Sequence, residues 1–173
     1  MSDKLDTEQN AQNNQKLANS PVVIRAQYTK DLSFENPHAP KTFRGQDSNP
    51  EMDINIEIDV QKLEDDSKSD LYEVTLKIAA SAKQVDLTMF MVELSYAALV
   101  SLNIEEKHHH ALLFVEVPHT IFPYARQIIA DSTQSGGYIP LLLNPVDFKS
   151  MYLQRFAKKE DQNEESKGDD KAA

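Results

Sequence analysis

Alternation of apolar and polar residues is the clearest pattern in this chain. From Met52 to Val60 every second residue is apolar and each residue between them is polar. A second alternating run extends from Tyr72 to Ile78, after a polar, acidic segment at 64–70. Because successive side chains of a β-strand point to opposite faces, both runs predict strands with one buried face.

Two further extended runs flank these strands. The first covers residues 21–33 and ends before Asn36-Pro37-His38-Ala39-Pro40, where two prolines bar regular strand pairing. The other covers residues 87–102, follows a short polar link at 83–86, and is apolar on both faces in places. Four strands joined by short links predict an antiparallel meander.

Helical signals begin after the fourth run. Pro123 is placed as a first-turn proline, and Gly136-Gly137 supply a stop. The predicted apolar face of this helix comprises Ile121, Tyr124, Ala125, Ile128 and Ile129. Residues 111–117 stay open between a strand, a connector and the early turns of this helix.

A second helix is predicted to begin at Asn144-Pro145-Val146-Asp147. This segment offers an Asn cap, a proline at the first position and an acid in the first turn. Its apolar face comprises Phe148, Met151, Tyr152 and Phe156. The fold class predicted is therefore α+β: a four-stranded antiparallel sheet (meander) followed by two helices, in a single domain.

The ends of the chain differ in composition from its centre. Residues 1–20 are polar and rich in Asn and Gln, and residues 158–173 are charged with no large apolar side chain. Both ends are predicted to be disordered tails, since they cannot bury enough apolar surface to fold. The folded domain is predicted to span residues 21–157.

Composition narrows the functional classes. The net charge is -10, and the body between the tails keeps most of the acidic excess, which disfavours nucleic acid and anionic membranes and favours basic protein partners. Cysteine is absent, so disulfides and thiolate metal sites are excluded. The chain begins without a signal-peptide pattern and its apolar stretches are short, so a cytoplasmic location without membrane insertion is expected.

His108-His109-His110 is the feature that most resembles a metal site. Adjacent histidines on a strand point to opposite faces, and with only His38 and His119 besides, the chain offers few further ligands. A loop is favoured, with no bound metal and no cofactor, so that replacing all three by serine would leave assembly and substrate capture unchanged. No nucleophile elbow, phosphate-binding glycine loop or zinc-protease motif occurs, and the chain is predicted not to be an enzyme.

Apolar surface exceeds what two helices should cover. The ladder from Met52 to Ile58 could simply form the inner face of the sheet, but Met89-Phe90-Met91-Val92 is apolar on both faces. Exposed apolar strips indicate oligomerisation or polypeptide binding, and methionine suits a surface that accepts varied partners.

Four motifs resemble one family, the SecB protein-export chaperones of proteobacteria. Residues 28–40 (YTKDLSFENPHAP) resemble its opening signature, and residues 70–74 (DLYEV) resemble its third strand. Residues 121–126 (IFPYAR) are similar to the start of its long helix, and residues 140–148 (PLLLNPVDF) to the entry of its second helix. The motifs occur in the family's order, and the resemblance covers residues 26–156.

The resemblance implies a function and an assembly. It implies ATP-independent holding of unfolded precursor polypeptides in apolar grooves, delivery to the SecA translocation motor, and a homotetramer arranged as a dimer of dimers. The residues implied to bind SecA are Asp31, Glu35, Met91 and Glu93. Those implied to line the substrate groove are Met52, Ile54, Ile56 and Tyr72. The family often has a groove tryptophan between Phe43 and Pro50, and this chain has none. The alternative is an acidic adaptor protein that binds one folded partner through its sheet edge.

Overall fold

The structure is a computed structural model that describes residues 20–44, 49–64 and 70–156. The predicted tails lie outside the described residues, apart from Ser20. So does most of the stretch where the family often carries its tryptophan, at 45–48.

The sheet contains four antiparallel strands: β1 (Val22–Glu35), β2 (Glu51–Leu63), β3 (Asp70–Gln84) and β4 (Leu87–Leu102). Their order across the sheet is β1-β4-β3-β2. The four-stranded antiparallel sheet is confirmed, and β2, β3 and β4 form the expected meander. β1 departs from it by lying beside β4 and not beside β2. The connection after β1 carries Pro37 and Pro40, which prevent a hairpin, and it joins the two opposite edges of the sheet.

Strand register assigns every side chain to one of two faces. Residues directly opposite each other in an antiparallel pair share a face. Ile56 pairs with Ile78, and Ile78 pairs with Leu94, so these three share a face with the other even-numbered residues of β2, β3 and most of β4. The helices cover this surface, which we call the helix face. The opposite surface is called the open face.

The core lies between the helix face and the long helix. Its most deeply buried sheet residues are Val74, Leu76, Ile78, Val92, Leu94 and Val100. Helical residues at four-residue spacing pack against them: Val117, Ile121, Ala125 and Ile129. The helices do not cover the start of β2, where Met52 is 36% and Ile54 is 43% exposed. The helix face therefore retains uncovered apolar surface at the β2 edge.

The long helix, α1, begins earlier than the sequence predicts. It runs through a 3₁₀ turn (Glu106–His108), an α turn (His109–Ala111), a π-helical segment (Leu112–Glu116) and an α-helix (Val117–Ser135). The prediction that Pro123 marks the first turn is therefore wrong, because this proline lies inside α1. Residues 111–117, left open above, form early turns of the helix.

Prolines inside α1 explain both its π-helical segment and why its start was predicted incorrectly. Pro118 has no N–H, and its ring crowds the carbonyl of residue 114, where the wider π turn lies. Burial of Val117 and Ile121 against the sheet offsets the lost hydrogen bonds. The predicted apolar face holds for Ile121, Ala125 and Ile129, but Tyr124 is 55% exposed and does not belong to the core.

α1 ends where the glycines predict. Gly136 N–H donates to the Ser132 carbonyl at 3.0 Å, and Gly137 follows with φ +89°, a left-handed conformation that favours glycine.

The second helix, α2, is described from 148 to 156. Asp147 caps it, since the Ser150 N–H donates to Asp147 Oδ1 at 2.9 Å. The predicted Asn144 cap is wrong, because residues 144–147 precede the first helical turn. A side-chain acceptor three residues before the bonded N–H is the usual capping geometry, and only Asp147 provides it.

The hairpin between β3 and β4 holds a strained residue. Val85 is 83% exposed and has φ +54°, a region that a β-branched residue adopts at a cost of about 1–2 kcal/mol. Val85→Asn is expected to raise the free energy of unfolding by about 1 kcal/mol, measured by urea denaturation. Val85→Thr is the matched control, because it keeps the branch and should give no gain. Equal stabilities of the two variants would contradict this explanation.

Candidate functional site: an apolar groove and an acidic sheet face

A groove of about 690 Å³ lies between the β2 edge and α2. Its walls are mainly apolar and aromatic: Ile56, Ile58, Phe114, Met151, Tyr152 and Phe156, with Glu57, Gln154 and Arg155 at polar positions. Phe114 comes from the π-helical segment of α1, so three separate elements build the groove.

Arg155 joins α2 to the edge of the sheet. Its Nη1 donates to the Ile58 carbonyl at 3.2 Å, and its guanidinium lies 5.6 Å from the Phe114 ring centroid and 5.8 Å from that of Phe156. Among the described strands, β2 has a neighbour on one side only, so its outer edge presents backbone donors and acceptors. The groove therefore combines apolar walls with a peptide edge, which is the chemistry that an extended apolar polypeptide requires.

His110 belongs to the same aromatic cluster. Its Nδ1 lies 2.9 Å from the Tyr152 hydroxyl, and its ring centroid is 4.7 Å from that of Phe114 and 4.4 Å from that of Phe156. The contacts fix α2 against the start of α1 and so hold the groove walls in place.

The predicted groove residues are distributed unevenly. Met52, Ile54 and Ile56 form one row on the helix face of β2, and Ile56 lines the groove itself. Tyr72 is 8% exposed and lies in the core. Sequence reasoning missed Phe114, which falls in the ambiguous segment 111–117. It also missed the α2 residues as groove walls, although the apolar face of α2 was the available signal.

His109 is a structural residue. It is 4% exposed, and its Nε2 donates to the Ile104 carbonyl at 2.8 Å, since a carbonyl only accepts. In the neutral imidazole, Nδ1 is then the acceptor for the Tyr72 hydroxyl at 3.1 Å. The loop interpretation of His108-His109-His110 is wrong, because these residues form the first turns of α1. Within the described ranges, no group of three or more His, Asp or Glu side chains is placed to hold a metal ion.

The predicted docking residues lie together on the open face. Glu35 pairs with Met91, and Ser33 pairs with Glu93 one step along the same two strands. Asp31 pairs with Ser95, which places it on the same face. The three acids are exposed, and Met91 is 37% exposed between them. The docking set and the groove set therefore occupy opposite faces of one sheet.

A β-bulge produces this grouping. The register of β1 shifts between Thr29 and Asp31, so Tyr28, opposite Ala97, and Asp31, opposite Ser95, share the open face. Without the shift, strict alternation would send Asp31 and Glu35 to the face opposite Tyr28.

A polar cluster on the open face includes Lys30, the residue before Asp31 in the chain. Glu73 accepts a hydrogen bond from the Tyr28 hydroxyl at Oε1, and Oε2 accepts one from Lys30 Nζ at 2.6 Å. The hydrogen bond to Glu73 is the main reason why the pKa of Tyr28 rises to about 12. The Lys30 and Tyr28 hydrogen bonds lower the pKa of Glu73 against the opposing effect of burial. At neutral pH, Glu73 is thus ionised and bonded through both oxygens.

No helix in the described part of the chain is long and apolar enough to cross a bilayer.

The chain is similar to known proteins over most of its length. A family model described as preprotein translocase subunit SecB matches residues 13–159. A protein-export protein SecB from Parvibaculum lavamentivorans is 44% identical over 133 residues, which cover 76% of this chain and 77% of the relative. One from Rhodospirillum centenum is 42% identical over 137 residues, covering 78% and 79%. One from Rickettsia rickettsii is 41% identical over 137 residues, covering 79% and 88%.

A solved structure shares the fold. A SecB-like chaperone from Mycobacterium tuberculosis, in complex with a peptide from an antitoxin, superimposes with a TM-score of 0.58. The match covers 76% of this chain and 95% of that chain at 20% sequence identity.

Proposed function

Since the chain belongs to the SecB family of preprotein translocase subunits, we propose that it is an ATP-independent holding chaperone for protein export. It binds unfolded precursor polypeptides, keeps them competent for translocation, and delivers them to the SecA motor. It acts in the cytoplasm, needs no cofactor and catalyses no reaction.

The observation that carries the holding function is the groove beside the outer edge of β2, which no other described strand pairs with. Aromatic and branched side chains from β2, α1 and α2 surround about 690 Å³ of open space. The exposed row of Met52 and Ile54 continues from it along β2. Apolar contacts are not directional, so one groove can accept many different unfolded segments.

The acidic open face supports delivery. Asp31, Glu35 and Glu93 have no ion pair with any residue in the described ranges. A basic docking segment on the motor complements such a surface and is steered to it. Because the groove lies on the other side of the sheet, a bound precursor leaves these acids accessible.

Assembly as a dimer of dimers accounts for apolar surface away from the groove. Leu32 is 44% exposed on the edge strand β1, and a cavity of about 420 Å³ separates β1 from the last turns of α1. Tyr124 is exposed on α1. We propose that contacts between subunits cover these residues in a homotetramer.

The acidic adaptor is the competing function. An adaptor that binds one folded partner would suppress aggregation of few unrelated proteins, whereas a holding chaperone acts on many. Light scattering during dilution of several unfolded proteins, with the mass of the free protein measured alongside, separates the two.

Ile54→Asp should weaken the holding function. Ile54 is 43% exposed on the helix face, so the substitution removes apolar contact with a client while disturbing little of the core. We expect about tenfold weaker binding of an unfolded client, measured by fluorescence anisotropy and by light scattering.

Asn55→Asp is the matched control for Ile54→Asp. It adds the same charge to the next residue of the same strand, but on the open face. It should leave client binding unchanged. Equal losses in both variants, with unchanged melting temperatures, would argue against a client site on the helix face.

A further inference from the structure

The β-bulge that places Asp31 on the open face also brings a cation there. Lys30 Nζ contacts Glu73, and Glu73 lies on the open face because it pairs with Leu99 of β4 and Gln61 of β2. A lysine therefore extends over the same surface as the docking acid that follows it in the chain. Left alone, this ammonium could pair with Asp31 and compete with any basic partner.

The Glu73 carboxylate holds the Lys30 ammonium in a different contact. Both of its oxygens are used, one by the Tyr28 hydroxyl and one by Lys30 Nζ at 2.6 Å. The Glu73 side chain is only 13% exposed, so solvent screens this pair less than an ordinary surface pair. By contrast, Lys77 lies 3.6 Å from Asp59 on the same face, and the Asp59 side chain is 65% exposed.

We propose that Glu73, oriented by Tyr28, is a positioning residue that clamps Lys30 and so keeps Asp31 available to a basic partner. Glu73 need not touch the partner. The inference rests on the proposed docking of SecA to the open face, and it adds a positioning contact to that surface.

Additive charge is the simpler explanation to be excluded. Glu73 could strengthen docking merely as one more negative charge, in which case its removal weakens binding without affecting the contribution of Asp31. The clamp makes a further prediction. Once Glu73 is neutralised, Lys30 pairs with Asp31 and masks its charge, so replacing Asp31 then lowers the affinity for SecA only slightly. The two explanations therefore differ in whether the effect of substituting Asp31 on SecA binding depends on the presence of Glu73. They do not differ in the size of either single effect.

The test is a double-mutant cycle on the full-length protein, with SecA titrated at low salt by calorimetry. Asp31→Asn should weaken binding about fivefold in the wild type, but less than twofold in the Glu73→Gln background. In the Lys30→Met/Glu73→Gln background the fivefold cost should return, because the competing ammonium is absent. In Asp59→Asn, which removes a charge from the longer and more exposed Lys77–Asp59 pair on the same face, the fivefold cost should also persist.

Two results would overturn the inference, and they can be told apart. An equal cost of Asp31→Asn in the wild-type and Glu73→Gln backgrounds would reduce Glu73 to an additive charge and leave docking to the open face intact. Normal SecA binding by a variant with lysine at positions 31, 35 and 93 would refute the docking surface itself. Circular dichroism of each variant checks that the sheet is retained.

Discussion

SecA binding is expected to fall by about 100-fold or more when Asp31, Glu35 and Glu93 are all replaced by lysine. The three side chains share one exposed face on two adjacent strands, so the substitution inverts the sign of the local field. Like charges facing each other at an interface cost several kcal/mol, and roughly 3 kcal/mol corresponds to the expected loss. Titration calorimetry at low salt measures it, and wild-type binding should weaken as salt rises.

The same variant should still hold unfolded clients and keep its native mass. Its substitutions lie on the open face, across the sheet from the groove, and exposed substitutions usually change stability by only about 0.5 kcal/mol. Loss of aggregation suppression together with SecA binding would show that the two surfaces are not separable. Retained SecA binding would show that the docking site lies elsewhere, whatever the family.

His109→Ser is expected to lower the free energy of unfolding by about 2–3 kcal/mol. The imidazole is buried and connects the Tyr72 hydroxyl to the Ile104 carbonyl, and serine is too short to reach both groups. Two polar groups then lose a partner beside a new cavity, and each such loss carries a desolvation cost. Urea denaturation followed by circular dichroism measures the change.

His108→Ser is the matched control for His109. His108 is exposed one residue earlier, and its replacement should shift stability by less than about 0.5 kcal/mol. The expectation that all three histidines can be replaced without effect depends on the loop interpretation, which the structure contradicts. If His109→Ser proved as stable as His108→Ser, the hydrogen bonds of His109 would contribute nothing measurable.

Strands were predictable from the sequence because their signal is local. The alternation from Met52 to Val60 predicts a strand, which β2 confirms, although the predicted buried face stays exposed at Met52 and Ile54. The location of β1 was not predictable by the same reasoning. Which strand pairs with β1 depends on which hydrophobic edges meet in three dimensions. The prolines after β1 signalled a break but did not signal that the chain must reach the far edge.

The early start of α1 shows how tertiary contacts override local signals. Pro118 and Pro123 both indicate a helix start when read locally, yet burial of Val117 and Ile121 holds the helix together through them. The lining of the groove was only partly predictable for the same reason, since Phe114 reaches the groove only because residues 111–117 are helical. Likewise, the bulge before Asp31 interrupts the strict alternation of side chains between the two faces, and no local residue pattern indicates it.

The strand order has a consequence for synthesis of the protein. β1 leaves the ribosome before the other described strands, but among these its sole neighbour is β4, and Val22 pairs with Leu102. The N-terminal strand must therefore remain unpaired while β2 and β3 are made, and closing so long a loop slows its docking. The three proposed docking acids come from β1 and β4, so a nascent or truncated chain that ends before β4 lacks Glu93 and has only part of the proposed docking surface. Only a completed sheet can present the whole of the proposed SecA docking surface.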